Sequence, residues 1–158
     1  MNFGSWLLWG FAATIVLTTI SAGAQGLGLT RMNLPFMLGT IFTPDRDKAT
    51  LYGFGVHMAI GWLFSLVYVA AFQSLGSAGW WRGVIIGLIH GVFVLVVLVS
   101  LLPALHSRMA NEQHGPEAHN MLEPPGFLAL HYGVQTPLTI LFSHAVFGAI
   151  LGAFYHLK

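Results

Sequence analysis

The chain has 158 residues, of which 56% are hydrophobic and 7% charged, with a net charge of +1 and no cysteine. A soluble domain carries about 25% charged residues, so a water-soluble globule is excluded. Six Lys and Arg, scattered along the chain, leave no footprint for nucleic acid and no polybasic lipid-headgroup site. The lack of cysteine removes disulfides, thiolate metal sites and thiol nucleophiles.

The first apolar block runs from Phe3 to Ser21. Ala22-Gly23-Ala24 behind it looks like a signal-peptide cleavage site, but no Lys or Arg precedes it, so a retained span is expected. A long connection follows, carrying Pro35, Pro44 and the charged run Asp45-Arg46-Asp47-Lys48. Its apolar stretch Leu34 to Phe42 is expected at the interface or packed on the bundle as a short helix. The second block runs from Leu51 to Leu75, a short turn (Gly76 to Arg82) leads to the third, Gly83 to Leu102, and the fourth covers Thr136 to Leu157. The third connection holds a polar run, His106 to Asn120, then Pro124-Pro125 and the apolar stretch Gly126 to Tyr132, expected like Leu34 to Phe42 at the interface or as a short packed helix, with His131 and Tyr132 placed to cap this end. Every Lys, Arg, Asp and Glu falls outside the four blocks. Each block is long enough to cross a bilayer as a helix, the only open-ended backbone that satisfies its own hydrogen bonds there. Trp6, Trp9, Tyr52, Trp80, Trp81 and Tyr155 lie near the block ends, as an interfacial aromatic belt does.

The expected fold is therefore an all-α integral membrane bundle of four transmembrane helices forming one domain over residues 1–158, in a bacterial inner membrane. The end with the long connections holds Arg31, Arg46, Lys48 and Arg108, the other Arg82 and Lys158. This bias favours a cytoplasmic position for the long connections, by a margin too small to fix the orientation.

An internal duplication is also expected. His57-x3-Gly61-x3-Ser65-x2-Tyr68 in the second block parallels His144-x3-Gly148-x3-Gly152-x2-Tyr155 in the fourth, 87 residues on. Gly10, Thr14 and Thr18 parallel Gly83, Gly87 and Gly91, 73 residues on. The polar insert between His106 and Asn120 accounts for the difference. Two tandem two-helix units imply a pseudo-two-fold axis along the membrane normal. The stripes of small residues also let helices approach closely.

A polar ionisable group within lipid invites a functional reading, and the candidates are His57, His90 and His144. If His57 and His144 face one another across the pseudo-axis, they suit a bis-histidine haem. Otherwise each bonds to a neighbouring helix, with Tyr68, Tyr155, Thr139 and Ser143 as partners. His90 reads as a packing hydrogen bonder. In the third connection His106, Glu112, His114, Glu117 and His119 form a candidate metal-binding set, without the spacing of a strong metal motif. No phosphate loop, nucleophile elbow, HExxH or dinucleotide fingerprint is present.

Met37-Leu38-Gly39, Gly53-x3-His57-x3-Gly61, Arg82-Gly83-x3-Gly87 and His144-x3-Gly148-x2-Leu151-Gly152-x2-Tyr155 together resemble a family of small, uncharacterised four-span bacterial membrane proteins. The resemblance implies the four-span architecture and brings no catalytic residues. The insert with its histidines and acidic residues departs from the family pattern. Three roles remain open: a non-catalytic subunit or accessory protein of a larger membrane complex, a haem-binding redox module, and a small-solute channel or carrier acting as an oligomer. The expected surroundings are the lipid bilayer and other membrane subunits or further copies of the chain.

Overall fold

The computed structural model describes residues 1–111 and 122–157. Among these the chain is helical, with no strand. Its elements are α1 (Phe3–Gly26), α2 (Leu34–Gly39), α3 (Arg46–Ser74), α4 (Trp80–Phe93), a π-helical turn (Val94–Leu98), α5 (Val99–Leu105), a 3-10 turn (Phe127–Tyr132) and α6 (Thr136–Phe154). Four helices are long and apolar enough to cross a membrane: Phe3–Gly26, Arg46–Ser74, Trp80–Leu105 and Thr136–Phe154.

Local chemistry sets several of the starts. A short polar side chain ahead of a helix satisfies an amide that has no intrahelical acceptor. The side chain of Asn2 accepts from the Ser5 N–H at 3.2 Å, Asn33 from Phe36 at 3.0 Å and Asp45 from Lys48 at 2.9 Å. Asp45 moves the start of α3 ahead of the expected apolar boundary, so Arg46-Asp47-Lys48 form its exposed first turn. The stretch Leu34 to Phe42 yields the short α2, as its composition suggested. The stretch Gly126 to Tyr132 forms instead a kinked 3-10 turn, with Leu128 (φ 52°) and Ala129 (φ 61°) in the left-handed region.

Glycines set the helix spacing. Gly83 of α4 and Gly148 of α6 each press on the other's backbone carbonyl, and Gly87 presses on that of His144. On the other side, Gly61 of α3 receives Thr14 of α1, and Gly10 of α1 receives Ser65 of α3. Helix α2 lies on α3 where Gly53 meets the Pro35 carbonyl and Gly39 meets that of Ala49. Helices α1 and α6 are joined by stacking of Trp9 on Phe154 at 4.4 Å and by the Asn2 N–H donating to the Tyr155 hydroxyl at 3.1 Å. The backbones of α3 and the α4–α5 span stay apart. Side chains bridge that seam: His90 of α4 stacks on Phe64 of α3 at 4.4 Å and bonds Tyr68 at 3.0 Å.

The core divides along the length of the helix bundle. At the end with the short turn, Ala13, Leu17, Tyr68, Val69, Phe72, Phe147, Leu151 and Tyr155 pack together. At the other end, Met37, Leu95, Val99, Met109, Ala129 and Tyr132 draw the long connections over the bundle. There the Arg31 N–H donates to the Tyr132 carbonyl at 2.7 Å, Arg31 pairs with Glu123 at 3.3 Å, and the Thr30 and Thr136 hydroxyls bond at 2.7 Å.

Candidate functional site

Between the two parts of the core lies a cavity of about 260 Å³, bounded by residues from every helix and almost wholly apolar in its walls. Its polar features are few: His57 from α3, His90 from α4, His144 from α6, and hydroxyls including Ser21, Thr30, Thr136 and Ser143. Phe147 and His90 floor it on the side of the packed core. Along the seam Ile60 and Phe64 form one wall, and Val94, Leu98, Leu101 and Leu105 the other. Leu101 and Leu105 are 46% and 74% exposed, so the cavity reaches the outer surface of the bundle between α3 and α5. The π-helical turn Val94–Leu98 lies in that wall, one turn beyond His90; such turns are frequent at functional sites.

Each histidine is tied back through Nδ1, and the partners fix its protons. Thr18 of α1 has one hydroxyl proton, and its oxygen lies 2.7 Å from the Thr14 carbonyl, which can only accept. The Thr18 oxygen therefore accepts from the Nδ1–H of His57 at 3.0 Å. His144 Nδ1 lies 2.8 Å from the Ile140 carbonyl and must donate to it. Tyr68 is 1% exposed and its hydroxyl bonds only His90 Nδ1. A buried O–H left without an acceptor is costly, so Tyr68 donates and His90 carries its proton on Nε2. The result is two bare acceptors, Nε2 of His57 and of His144, and one donor, Nε2–H of His90. None of the three has a hydrogen-bond partner among the described residues, and none is sealed from the surface. The rings of His90 and His144 meet edge to face, 4.7 Å between centroids.

The hydrogen-bond partners differ from those expected. His57 is held by Thr18, not by Tyr68, Tyr155, Thr139 or Ser143. Tyr68 serves His90 instead, and His144 bonds the backbone of its own helix. His90, expected as a packing hydrogen bonder, is one: it stacks on Phe64 and bonds Tyr68, and it also lines the same cavity as the other two.

His106 is buried and fully engaged. Its Nδ1 accepts from the Arg108 N–H at 3.1 Å, and its Nε2 lies 2.8 Å from the Met37 carbonyl and 3.3 Å from the Thr40 hydroxyl. Nε2 locks the third connection onto α2 and its C-cap, while Nδ1 fixes the local turn at Arg108. Glu112, His114, Glu117 and His119 lie outside the described residues. Among the described residues no group of three His, Asp or Glu is close enough to hold a metal ion. His131 is exposed, with Nδ1 2.9 Å from the Pro124 carbonyl. Tyr132 lies beneath it, its hydroxyl donating to the Glu123 carbonyl. Burial, with Glu123 nearby and against the opposing pull of Arg31, pushes the Tyr132 phenol up to about 12.

Compared with protein-family profiles, curated proteins and solved structures, the chain matches none. The resemblance drawn from the Gly and His motifs therefore rests on those motifs alone.

Proposed function

We propose that this chain is a membrane-embedded binding protein for a lipid-soluble small molecule, holding its ligand without transforming it. The observation that carries the reading is the convergence of three histidines from three helices on one apolar cavity. Apolar walls with a few placed polar groups are the usual make-up of a small-molecule site. An imidazole in lipid is costly unless it has work to do, and each of these keeps one nitrogen free of any partner among the described residues. The reading is compatible with an accessory role in a larger complex, the ligand then being passed to a neighbouring chain.

A channel through a single copy is disfavoured, because the cavity ends on Phe147 and His90 above a packed core. The haem reading has one observation in its favour. Histidine ligands usually donate their other ring N–H to a carbonyl or similar acceptor, and His57 and His144 do so. Against it, the ring of His144 is already packed edge to face by His90 at 4.7 Å, which crowds the side a flat macrocycle would need.

The tandem repeat belongs to the same proposal. Two contacts recur between the proposed halves: Thr18 on His57 matches Gly91 beside His144, and Gly10 beside Ser65 matches Gly83 beside Gly152. On this view the second half gave up the hydroxyl at the position of Thr18, and His144 turned to its own backbone. Location in a bacterial inner membrane is consistent with helical spans. Retention of α1 is a requirement, since Leu17, Thr18 and Ser21 help to build the site.

Purification in mild detergent, organic extraction and mass spectrometry test the reading. One lipophilic compound should co-purify near stoichiometric amount and be lost in Leu98→Trp, which fills the cavity from its rim. A clean extract from a folded wild-type protein that also rejects added apolar ring compounds would refute it. A Soret band that vanishes in His144→Ala would move the assignment to haem.

A further inference from the structure

The proton positions at the cavity specify the polar end of the ligand. A carbonyl oxygen only accepts hydrogen bonds, whereas a hydroxyl both donates and accepts. Nε2 of His144 is a bare acceptor because Nδ1 has to donate to the Ile140 carbonyl. The neighbouring His90 presents Nε2–H because Tyr68 donates to its Nδ1. With these rings in edge-to-face contact, one hydroxyl oxygen can give its proton to His144 and receive that of His90. A carbonyl in the same place would keep the second bond only, and would set its lone pairs against those of His144. His57, fixed by Thr18 in the same protonation, adds another acceptor and the same bias.

The shape of the cavity narrows the class further. Phe64, Phe147 and His90 line it with aromatic rings, which suits a flat ring. The wall of Val94, Leu98, Leu101 and Leu105 is aliphatic and leads outward, which suits a hydrocarbon tail entering from the bilayer.

We infer that the cavity selects the hydroxyl form of a lipid-soluble aromatic ring, a hydroquinone in preference to its quinone. The inference rests on the binding reading above and adds to it the sense of the hydrogen bonds. No redox step is involved, because binding discriminates between two forms made elsewhere.

The test is calorimetric titration of the whole chain in detergent, under argon, with three probes of one shape: duroquinol, duroquinone and durene. Durene has no polar atom and reports on the cavity alone. Duroquinol should bind at least tenfold tighter than duroquinone. His144→Phe should remove most of that ratio while durene still binds, and Thr18→Val should reduce it in the same direction. Equal affinity for duroquinol and duroquinone, or tighter quinone binding, with durene still bound, would overturn the hydroxyl preference and leave the binding reading standing. Failure of all three probes on the folded wild-type chain would defeat the binding reading, and this inference with it. The wild-type ratio decides the matter even if a variant does not fold.

Discussion

Thr18 has a single proton to give, and the Thr14 carbonyl takes it; that fact alone sets the protonation of His57 across the helix interface. Thr18→Val keeps the shape and removes the acceptor, leaving a buried N–H unpaired at a cost of about 1–3 kcal/mol. Thr18→Ser should restore most of the loss in thermal unfolding followed by circular dichroism in detergent, whereas a pure packing role would make Val the better substitute. The glycines divide just as sharply. Alanine at Gly148 would drive a methyl into the Gly83 carbonyl and against the Tyr68 ring, while at Gly55 it would meet nothing within 4 Å. Gly148→Ala should cost at least about 2 kcal/mol, and Gly55→Ala should be neutral or stabilising by up to about 1 kcal/mol through helix propensity. Equal midpoints for these two variants would contradict the close approach of α4 and α6. The histidines were legible in the sequence because polar groups are scarce in the spans. Their partners were not, because helical periodicity gives the face a residue occupies and not the neighbour that face meets.

Among the elements, the four long helices were readable from uninterrupted apolar length, although α3 starts at Arg46, inside what read as a charged connection. Two features were not. The π-helical turn falls in the run Val94-Leu95-Val96-Val97-Leu98, whose composition suits an α-helix equally, so packing along the seam decides its pitch. The 3-10 turn puts Leu128 and Ala129 in a left-handed conformation for which neither residue carries a signature, and which costs about 1–2 kcal/mol per residue. Around it the bonds are dense: Tyr132 to Glu123, His131 to Pro124, and Arg31 to both Glu123 and the His131 carbonyl. Gly126 (φ +69°) is the hinge of this segment and faces the His131 ring, whereas Gly28 (φ +74°) faces open space. Gly126→Ala should therefore destabilise more than Gly28→Ala, by the cost of moving that ring. Tyr132 adds a pH limit. Its folded phenol is raised from 10.0 to about 12, so the native state favours the protonated form. That contribution is whole below pH 10 and is lost as pH climbs from 10 through 12. Wild-type stability should fall over that window more steeply than that of Tyr132→Phe; parallel profiles would remove Tyr132 from the lock.

For the whole molecule, the arrangement around the ring is the part that composition could not supply. Small-residue stripes lie on all four spans, yet the backbones close on one another at α1–α3, α1–α6 and α4–α6 and stay open between α3 and the α4–α5 span. The difference lies in what occupies the seam. Phe64, Tyr68 and His90 meet there as rings, and rings hold two backbones further apart than facing glycines do. That spacing makes the cavity and opens it sideways. The end-to-end layout follows from the crossings: the His156 N–H donates to the Ser5 hydroxyl at 3.1 Å, so the two termini share one face, opposite the long connections. Because the chain has no cysteine, each position can be probed with a single introduced thiol and no background. Cysteine replacing Ser77, at the short turn, should react with a membrane-impermeant maleimide on the same side of sealed vesicles as cysteine replacing Asn2. Cysteine replacing Thr43, in the first long connection, should react only on the other side. Labelling of Asn2→Cys and Thr43→Cys from one side would mean that α1 does not cross, and with α1 displaced Thr18 could not reach His57. The pattern therefore tests the crossing number and the site together, and it requires no knowledge of the ligand.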